Sequence, residues 1–381
     1  MIASGDHAAL DTIVSATQVG SLAIVGTGLI GASAGLAARR AGVAAVTGWD
    51  PDAEALGLAA ERGAVTPAAS LADAVEGAQL VLAAAPVGDL PHTVREVLDR
   101  AGEACTVTDV GSTKGPVVAA AASDVRFIGG HPICGAETRG PGRAAAELFD
   151  DATWFLTPTA ATAPERLRLV HGFVTALGAR PVAIGPDAHD RLVGLTSHLP
   201  HVLANVLLNH AGSTRIEGHD PRQAAGGSLR DMTRIAGANP RIWVDIFLDN
   251  REALSLALAE QRRALERVER ALDEEDAGYL ARWIGEASAH RRRLLETAFA
   301  DPGALQRLRI HIPDRPGVLA GIFQALGAER INIEDFEMDH VSTDRGGTLT
   351  VLVSGEGEAE RAVRLLERQG YGVVAAPVID E

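Results

Sequence analysis

The stretch Ser21-Leu22-Ala23-Ile24-Val25-Gly26-Thr27-Gly28-Leu29-Ile30-Gly31 decides how the chain is read. A short apolar strand runs into three glycines spaced G-x-G-x-x-G, and Ala-rich sequence of helical character continues to about Arg40. In such a turn the first glycine permits the tight reversal, the second lets a ligand approach the backbone, and the third packs helix on strand. The amides at the helix start then suit a pyrophosphate. A second strand, Ala44–Asp50, ends in a carboxylate 19 residues after Gly31. Asp50 can accept hydrogen bonds from an adenosine ribose and repels a 2′-phosphate, which favours NAD over NADP. The alternative is a glycine turn in an α/β fold that binds no nucleotide. The expected cofactor set is Gly26, Gly28, Leu29, Ile30, Gly31 and Asp50, with Pro86 ending the buried strand Leu80–Ala85.

Outward from this turn, strands and helices alternate. Strands are expected at Thr106–Val110, Arg126–His131, Thr153–Leu156 and Pro181–Ile184, as in a parallel α/β sheet. After Gly185 the texture becomes helical to Ala300, and Arg191–His210 reads as one helix apolar on nearly every face, suited to a subunit interface. Arg262–Arg293 is heavily charged at helical spacing, as on a solvated face. Past Asp301-Pro302-Gly303 the pattern changes again, to a βαββαβ module. The expected division is a flexible leader at 1–20, a Rossmann-type dinucleotide-binding domain at 21–185, an all-helical dimerisation domain at 186–300 and a ferredoxin-like domain at 305–381.

Composition narrows the function. The 381 residues carry 50 Asp and Glu against 35 Lys and Arg, a formal net charge of -15, and aromatics are only 4%. A nucleic-acid or anionic-membrane partner is therefore not expected. Cys105 and Cys134 are too few for a disulfide framework or a cysteine-rich zinc site. The first twenty residues lack the features of a signal or transit peptide, and no apolar run reaches a membrane span, so a soluble cytoplasmic protein is expected. Lys114 is the only lysine among the 35 basic residues, which hints that a compact ammonium is wanted there.

Three further segments carry polar residues where chemistry would need them. Asp109-Val110-Gly111-Ser112-Thr113-Lys114-Gly115 runs out of the expected strand Thr106–Val110 at the carboxyl edge, where doubly wound sheets bind ligands; an ordinary N-cap at Ser112 is the plain alternative. Gly129-Gly130-His131-Pro132 ends the next strand, and a histidine there can take the proton of an alcohol while hydride leaves the same carbon. In the helical part lie His189-Asp190, Ser197-His198-Leu199-Pro200-His201, and a run from Ser228 containing Arg230, Arg234 and Trp243. His198 and His201 lack further ligands at zinc spacing, and His198 reads as a satisfied core histidine. Arg234 could grip a carboxylate bidentately, although a lone helical arginine is more often solvated.

In this order the segments GTGLIG (Gly26–Gly31), DVGSTKG (Asp109–Gly115), GGHPICGAE (Gly129–Glu137), HD (His189–Asp190), SHLPH (Ser197–His201) and SLRDMTRIAGANPRIWVDIF (Ser228–Phe247) resemble the prephenate and arogenate dehydrogenase family of tyrosine biosynthesis. The tail, from Pro313-Asp314-Arg315-Pro316-Gly317-Val318-Leu319 into Ile331-Asn332-Ile333, resembles an ACT domain, a small-molecule sensor. The resemblance implies that NAD accepts hydride from the ring carbon bearing the hydroxyl while the ring carboxylate leaves as carbon dioxide, giving 4-hydroxyphenylpyruvate. It implies His131 as the catalytic histidine, Ser112 as its orienting serine, and Arg234 as the ligand of a substrate carboxylate. His201, Arg230, Glu137, His189, Asp190 and Trp243 then contact substrate or shape its pocket. An amino-acid effector, with tyrosine expected, would lie against Asp314, Gly317, Val318, Asn332 and Ile333, and a homodimer is expected. Arg230 stands where some members carry lysine. Arogenate or both cyclohexadienyl substrates are the alternative to prephenate, and a catalytically inactive sensor of NAD and an amino acid is a further one.

Overall fold

The computed structural model describes residues 18–134, 140–296, 301–342 and 346–378. Most of the expected leader, and Glu137, lie outside these residues. The chain divides into two compact units, Met1–Gln261 and Arg262–Glu381.

The first unit is built on an eight-stranded sheet: β1 (Ser21–Val25), β2 (Ala45–Trp49), β3 (Thr66–Pro67), β4 (Leu80–Ala83), β5 (Thr106–Asp109), β6 (Phe127–Pro132), β7 (Thr153–Thr157) and β8 (Arg180–Ala183), in the order β3-β2-β1-β4-β5-β6-β7-β8. This is the doubly wound arrangement the glycine turn implied, with its switch point between β1 and β4. Helices α1 (Leu29–Arg40), α2 (Ala53–Glu61), α3 (Leu71–Val75), α4 (Leu90–Arg100), α5 (Gly115–Ala120) and α6 (Pro164–Ala176) cover it. Alternate residues of each strand serve opposite cores. Leu22, Ile24, Leu80 and Leu82 pack with Ala34 and Ala37 of α1 and Phe173 and Val174 of α6. Ala23, Val25, Val81 and Ala83 pack with Val94, Val97 and Leu98 of α4.

Two expectations need correction here. The sheet is not wholly parallel, because β7 runs antiparallel to β6. Among the described residues between them lie the 3-10 turns Pro141–Arg143 and Ala146–Phe149 and no longer helix, and a parallel pairing would need a longer crossover, usually helical. The expected helix Arg191–His210 is interrupted: α7 (Pro186–Val193) passes through a π-helical turn, Gly194–His198, into α8 (Leu199–Ser213). Pro200 supplies the reason. It has no amide to donate and its ring crowds the carbonyl four residues back, so the backbone widens just before it. The Leu199 amide reaches the Gly194 carbonyl, five residues back. The helical part continues with α9 (Gly227–Thr233), α10 (Pro240–Asp249) and α11 (Arg251–Asp273).

The second unit contains the end of α11, α12 (Ala277–Glu296) and the expected βαββαβ module: β9 (Leu305–Ile312), α13 (Val318–Ala328), β10 (Asp335–Ser342), β11 (Gly346–Ser354), α14 (Glu356–Arg368) and β12 (Gly372–Pro377). Its antiparallel sheet has the order β10-β11-β9-β12. Leu308, Ile310 and Val351 of the sheet meet Ile322 and Leu326 of α13 and Ala362 and Leu366 of α14. Among the described residues no helix is long and apolar enough to cross a membrane.

The three turn glycines meet different surroundings. Gly26 has φ +96°, and a Cβ on Gly31 would stand 1.9 Å from the Gly26 carbonyl oxygen and 3.1 Å from Ile24 Cγ2. Gly28 has an ordinary φ of -65°, and a Cβ there meets nothing within 4 Å. Gly31→Ala is therefore expected to destabilise by at least about 1–3 kcal/mol through overpacking. Gly28→Ala should melt like the parent while losing dinucleotide affinity, a contrast that thermal melts and a binding titration resolve.

Candidate active site

The glycine turn and the end of β2 are tied together. The Gly26 amide donates to the Trp49 carbonyl at 2.9 Å, and Asp50 Oδ2 accepts from the Thr27 amide at 2.6 Å and from Thr27 Oγ1 at 3.1 Å. The other carboxylate oxygen accepts from the Asp52 amide at 2.9 Å. Gly28 is the N-cap of α1 and offers no side-chain cap to the first-turn amides, which Leu29 and Ile30 open. Uncapped amides beside a glycine with open space fit a pyrophosphate. Pro86 is exposed just beyond β4, its carbonyl accepting from the amides of Asp89 and Leu90.

His131 lies near the end of β6, at the carboxyl edge, half-buried. Its Nδ1 is 2.9 Å from His189 Nε2, and His189 Nδ1 is 2.9 Å from Asp190 Oδ1. Asp190 also accepts from the Lys114 amide at 2.8 Å and from the Gly115 amide at 2.7 Å, so it caps α5 from the start of the helical part. The line fixes the tautomers. The carboxylate accepts the His189 Nδ1 proton, His189 Nε2 accepts the His131 Nδ1 proton, and His131 Nε2 keeps its lone pair. Burial, then the positive potential of His189, Lys114 and His198, pushes the His131 pKa well below its ordinary value. Burial alone would raise the Asp190 carboxyl, but hydrogen bonds from His189 and the two amides hold it below its ordinary value.

Behind this line lies a buried ion pair. The Lys114 ammonium contacts Asp109, and neither side chain is exposed. Lys114 Nζ also donates to the Gly130 carbonyl at 2.6 Å, while Asp109 accepts from the amides of Gly111 at 2.8 Å and Gly130 at 2.9 Å. Burial pulls the ammonium's pKa down and Asp109 opposes it.

Of the remaining expected residues, Ser112 is half-buried on the turn before α5. His201 stacks on Trp243 with ring centroids 3.6 Å apart, and Trp243 meets His198 edge-on. Arg230 and Arg234 are exposed and make no ion pair among the described residues. His189 and Asp190, expected to shape a pocket, stand behind His131 in a hydrogen-bonded line. In the second unit, Gly317 takes φ +89° at the start of α13, Val318 and Ile333 pack against the same core, and Asp314 is exposed. The Asn332 side-chain amide donates to Glu334 at 2.9 Å, so that donor is already engaged.

Asn250 was not foreseen. It is buried at the end of α10, and its side-chain amide donates to the Asp190 carbonyl at 2.7 Å and to His198 Nδ1 at 3.0 Å. It thereby ties the helix carrying Trp243 to the segment carrying His189, and it makes His198 the satisfied core histidine that was expected. Its only sequence signal was a polar residue closing an amphipathic helix. Burial, with a smaller contribution from neighbouring imidazoles, holds His198 at about 4 despite the opposing Asp190 charge. The unfolded chain takes up this proton near 6.5, so stability is lost as pH falls from about 6.5 to 4, by on the order of 3 kcal/mol. Melting temperatures across that window should fall less steeply in His198→Gln.

Comparison with known proteins shows what the chain is similar to. The model of the prephenate dehydrogenase nucleotide-binding domain matches residues 34–183, that of its dimerization domain 185–286, and that of the ACT domain 306–370. A prephenate dehydrogenase of Bacillus subtilis is 30% identical over 355 residues, 91% of this chain and 95% of its own. A cyclohexadienyl dehydrogenase of Zymomonas mobilis is 31% identical over 72% of this chain and 95% of its own. The crystal structure of prephenate dehydrogenase from A. aeolicus, in complex with hydroxyphenyl propionate and NAD+, superposes with a TM-score of 0.68 at 30% identity, covering 72% of this chain and 97% of that one. With this identity sustained along almost the whole length, the chain belongs to the prephenate dehydrogenase family.

Proposed function

We propose that this chain oxidises and decarboxylates prephenate with NAD, and that the line from His131 through His189 to Asp190 is the observation that carries the reading. NAD is the cofactor, and when bound it supplies the hydride acceptor. His131 Nε2 accepts the proton of the ring hydroxyl as hydride leaves the same carbon. The imidazolium that forms is stabilised along the hydrogen-bonded line to the Asp190 carboxylate, so the proton need not be released at once. Loss of the ring carboxylate as carbon dioxide leaves an aromatic ring. Ser112 orients the hydroxyl. Arg234, with Arg230 beside it, grips a substrate carboxylate, and His201 on Trp243 lines the pocket. The Bacillus subtilis relative bears the name of the same activity, and the A. aeolicus structure holds NAD+ and an aromatic acid.

A second reading extends the substrate to arogenate, favoured by the likeness to the Zymomonas mobilis cyclohexadienyl dehydrogenase. The assay is NADH absorbance with prephenate and then with arogenate. His131→Asn should lower kcat by at least about a hundredfold with NAD affinity almost unchanged. Normal turnover in that variant would sink the base assignment.

The ACT module regulates, in this proposal, by holding tyrosine against the turn at Asp314, Gly317 and Val318 near Asn332 and Ile333. Its support is the uncapped start of α13 behind a left-handed glycine, a place suited to an amino-acid carboxylate. Exposed Val206 and Leu208 on α8 and Val244 and Leu248 on α10, within the region matched by the dimerization-domain model, support a homodimer. Millimolar tyrosine should inhibit the full chain, through a coupling of about 1–3 kcal/mol. A chain ended at residue 300 should be active and insensitive, and equal inhibition of both would move the effector to the active site.

A further inference from the structure

We infer that Lys114 is a positioning residue for the catalytic histidine: with Asp109 it grips both polar backbone groups of the residue immediately before His131 and fixes the direction of the imidazole. The inference rests on His131 being the proton acceptor. One ion pair holds both polar groups of Gly130, its amide on Asp109 Oδ1 at 2.9 Å and its carbonyl on Lys114 Nζ at 2.6 Å. The two glycines of the strand are what let it lie against this pair. A Cβ on Gly129 would come within 2.3 Å of Thr157 Oγ1 and 3.2 Å of Lys114 Cδ, and one on Gly130 within 2.4 Å of the Asp109 carbonyl oxygen.

The same residue reaches His131 from the other side. The Lys114 amide donates to Asp190 at 2.8 Å, and Asp190 holds His189 against His131 Nδ1. Side chain and main chain of Lys114 thus set the backbone and the ring of His131 together. A buried ion pair is a poor way to add stability, because well-packed apolar residues of equal volume usually serve as well or better. It is a good way to fix one geometry. In a chain whose other basic residues are all arginine, the enclosed space keeps a compact ammonium. The charged and titratable groups around His131 are Lys114 and Asp109 on one side and His189, Asp190 and His198 on the other, and the ammonium favours the neutral imidazole.

Because the chain has one lysine, full-length protein labelled with 15N at the lysine side chain carries a single ammonium resonance. A protected resonance should persist at neutral pH and shift as His131 titrates, and the shift should vanish in His131→Asn. A resonance exchanging like that of a solvated lysine would overturn the inference. The double variant Asp109→Asn/Lys114→Met leaves no buried charge unpaired. Its kcat should fall about tenfold to a hundredfold, with KM for prephenate and NAD little changed and the acid limb of kcat moved to higher pH. In a His131→Asn background the same pair of changes should cost nothing further. An equal loss in both backgrounds, or an unchanged kcat, would make the ion pair merely structural. Full activity of His131→Asn alone would instead remove the base reading. If the double variant does not fold, the labelled parent protein decides.

Discussion

Asp190 has almost no access to water, and an ionised carboxylate so placed needs several donors to remain there. It draws them from the His189 imidazole and from the Lys114 and Gly115 amides at the start of α5. Its own carbonyl is bound by Asn250. The sheet edge, the first helix of the helical part and the end of α10 therefore meet on one residue. Moving any of them strands a buried charge or a buried amide, so the arrangement resists small adjustments.

The glycine turn, most of the strand order and the ferredoxin-like module were legible because each is written locally: in glycine spacing, apolar runs and breaks at glycine and proline. The antiparallel β7 was not, since strand direction follows from the length and shape of the connection before it. The π-helical turn was half legible: Pro200 stood in a helical pattern, but its effect depends on how the surrounding helices absorb the widening. Candidate residues such as His131, His189 and Asp190 could be named from polar side chains in apolar settings and from resemblance. Their hydrogen-bonded order could not, because partners 58 residues apart meet only in the folded chain. Asn250 was invisible for the same reason.

The electrostatics divide by depth. The chain is acidic overall, yet Arg230 and Arg234, the two arginines proposed for a substrate carboxylate, are exposed and free of acidic partners among the described residues, so no internal ion pair neutralises them. Deeper in, the charge of Lys114 is paired with Asp109, and burial first, with the neighbouring positive potential, favours the neutral form of His131. The proposed base and the proposed cationic clamp thus differ in depth, the first half-buried and the second wet.

The widened turn at Gly194–His198 also sets a phase. Each residue of an α-helix advances the side-chain direction by about 100°, and a π-helical turn holds one residue more than an α turn. Remove that residue and the turn would tighten, but everything after it would be rotated. His201 would leave the face of Trp243, and His198 would leave Asn250. The irregular turn works as a timing insert, keeping two histidines three positions apart aimed at one indole. A single-residue deletion within the turn would therefore cost both contacts at once, whereas substitutions that keep its length and spare His198, Pro200 and His201 would cost neither.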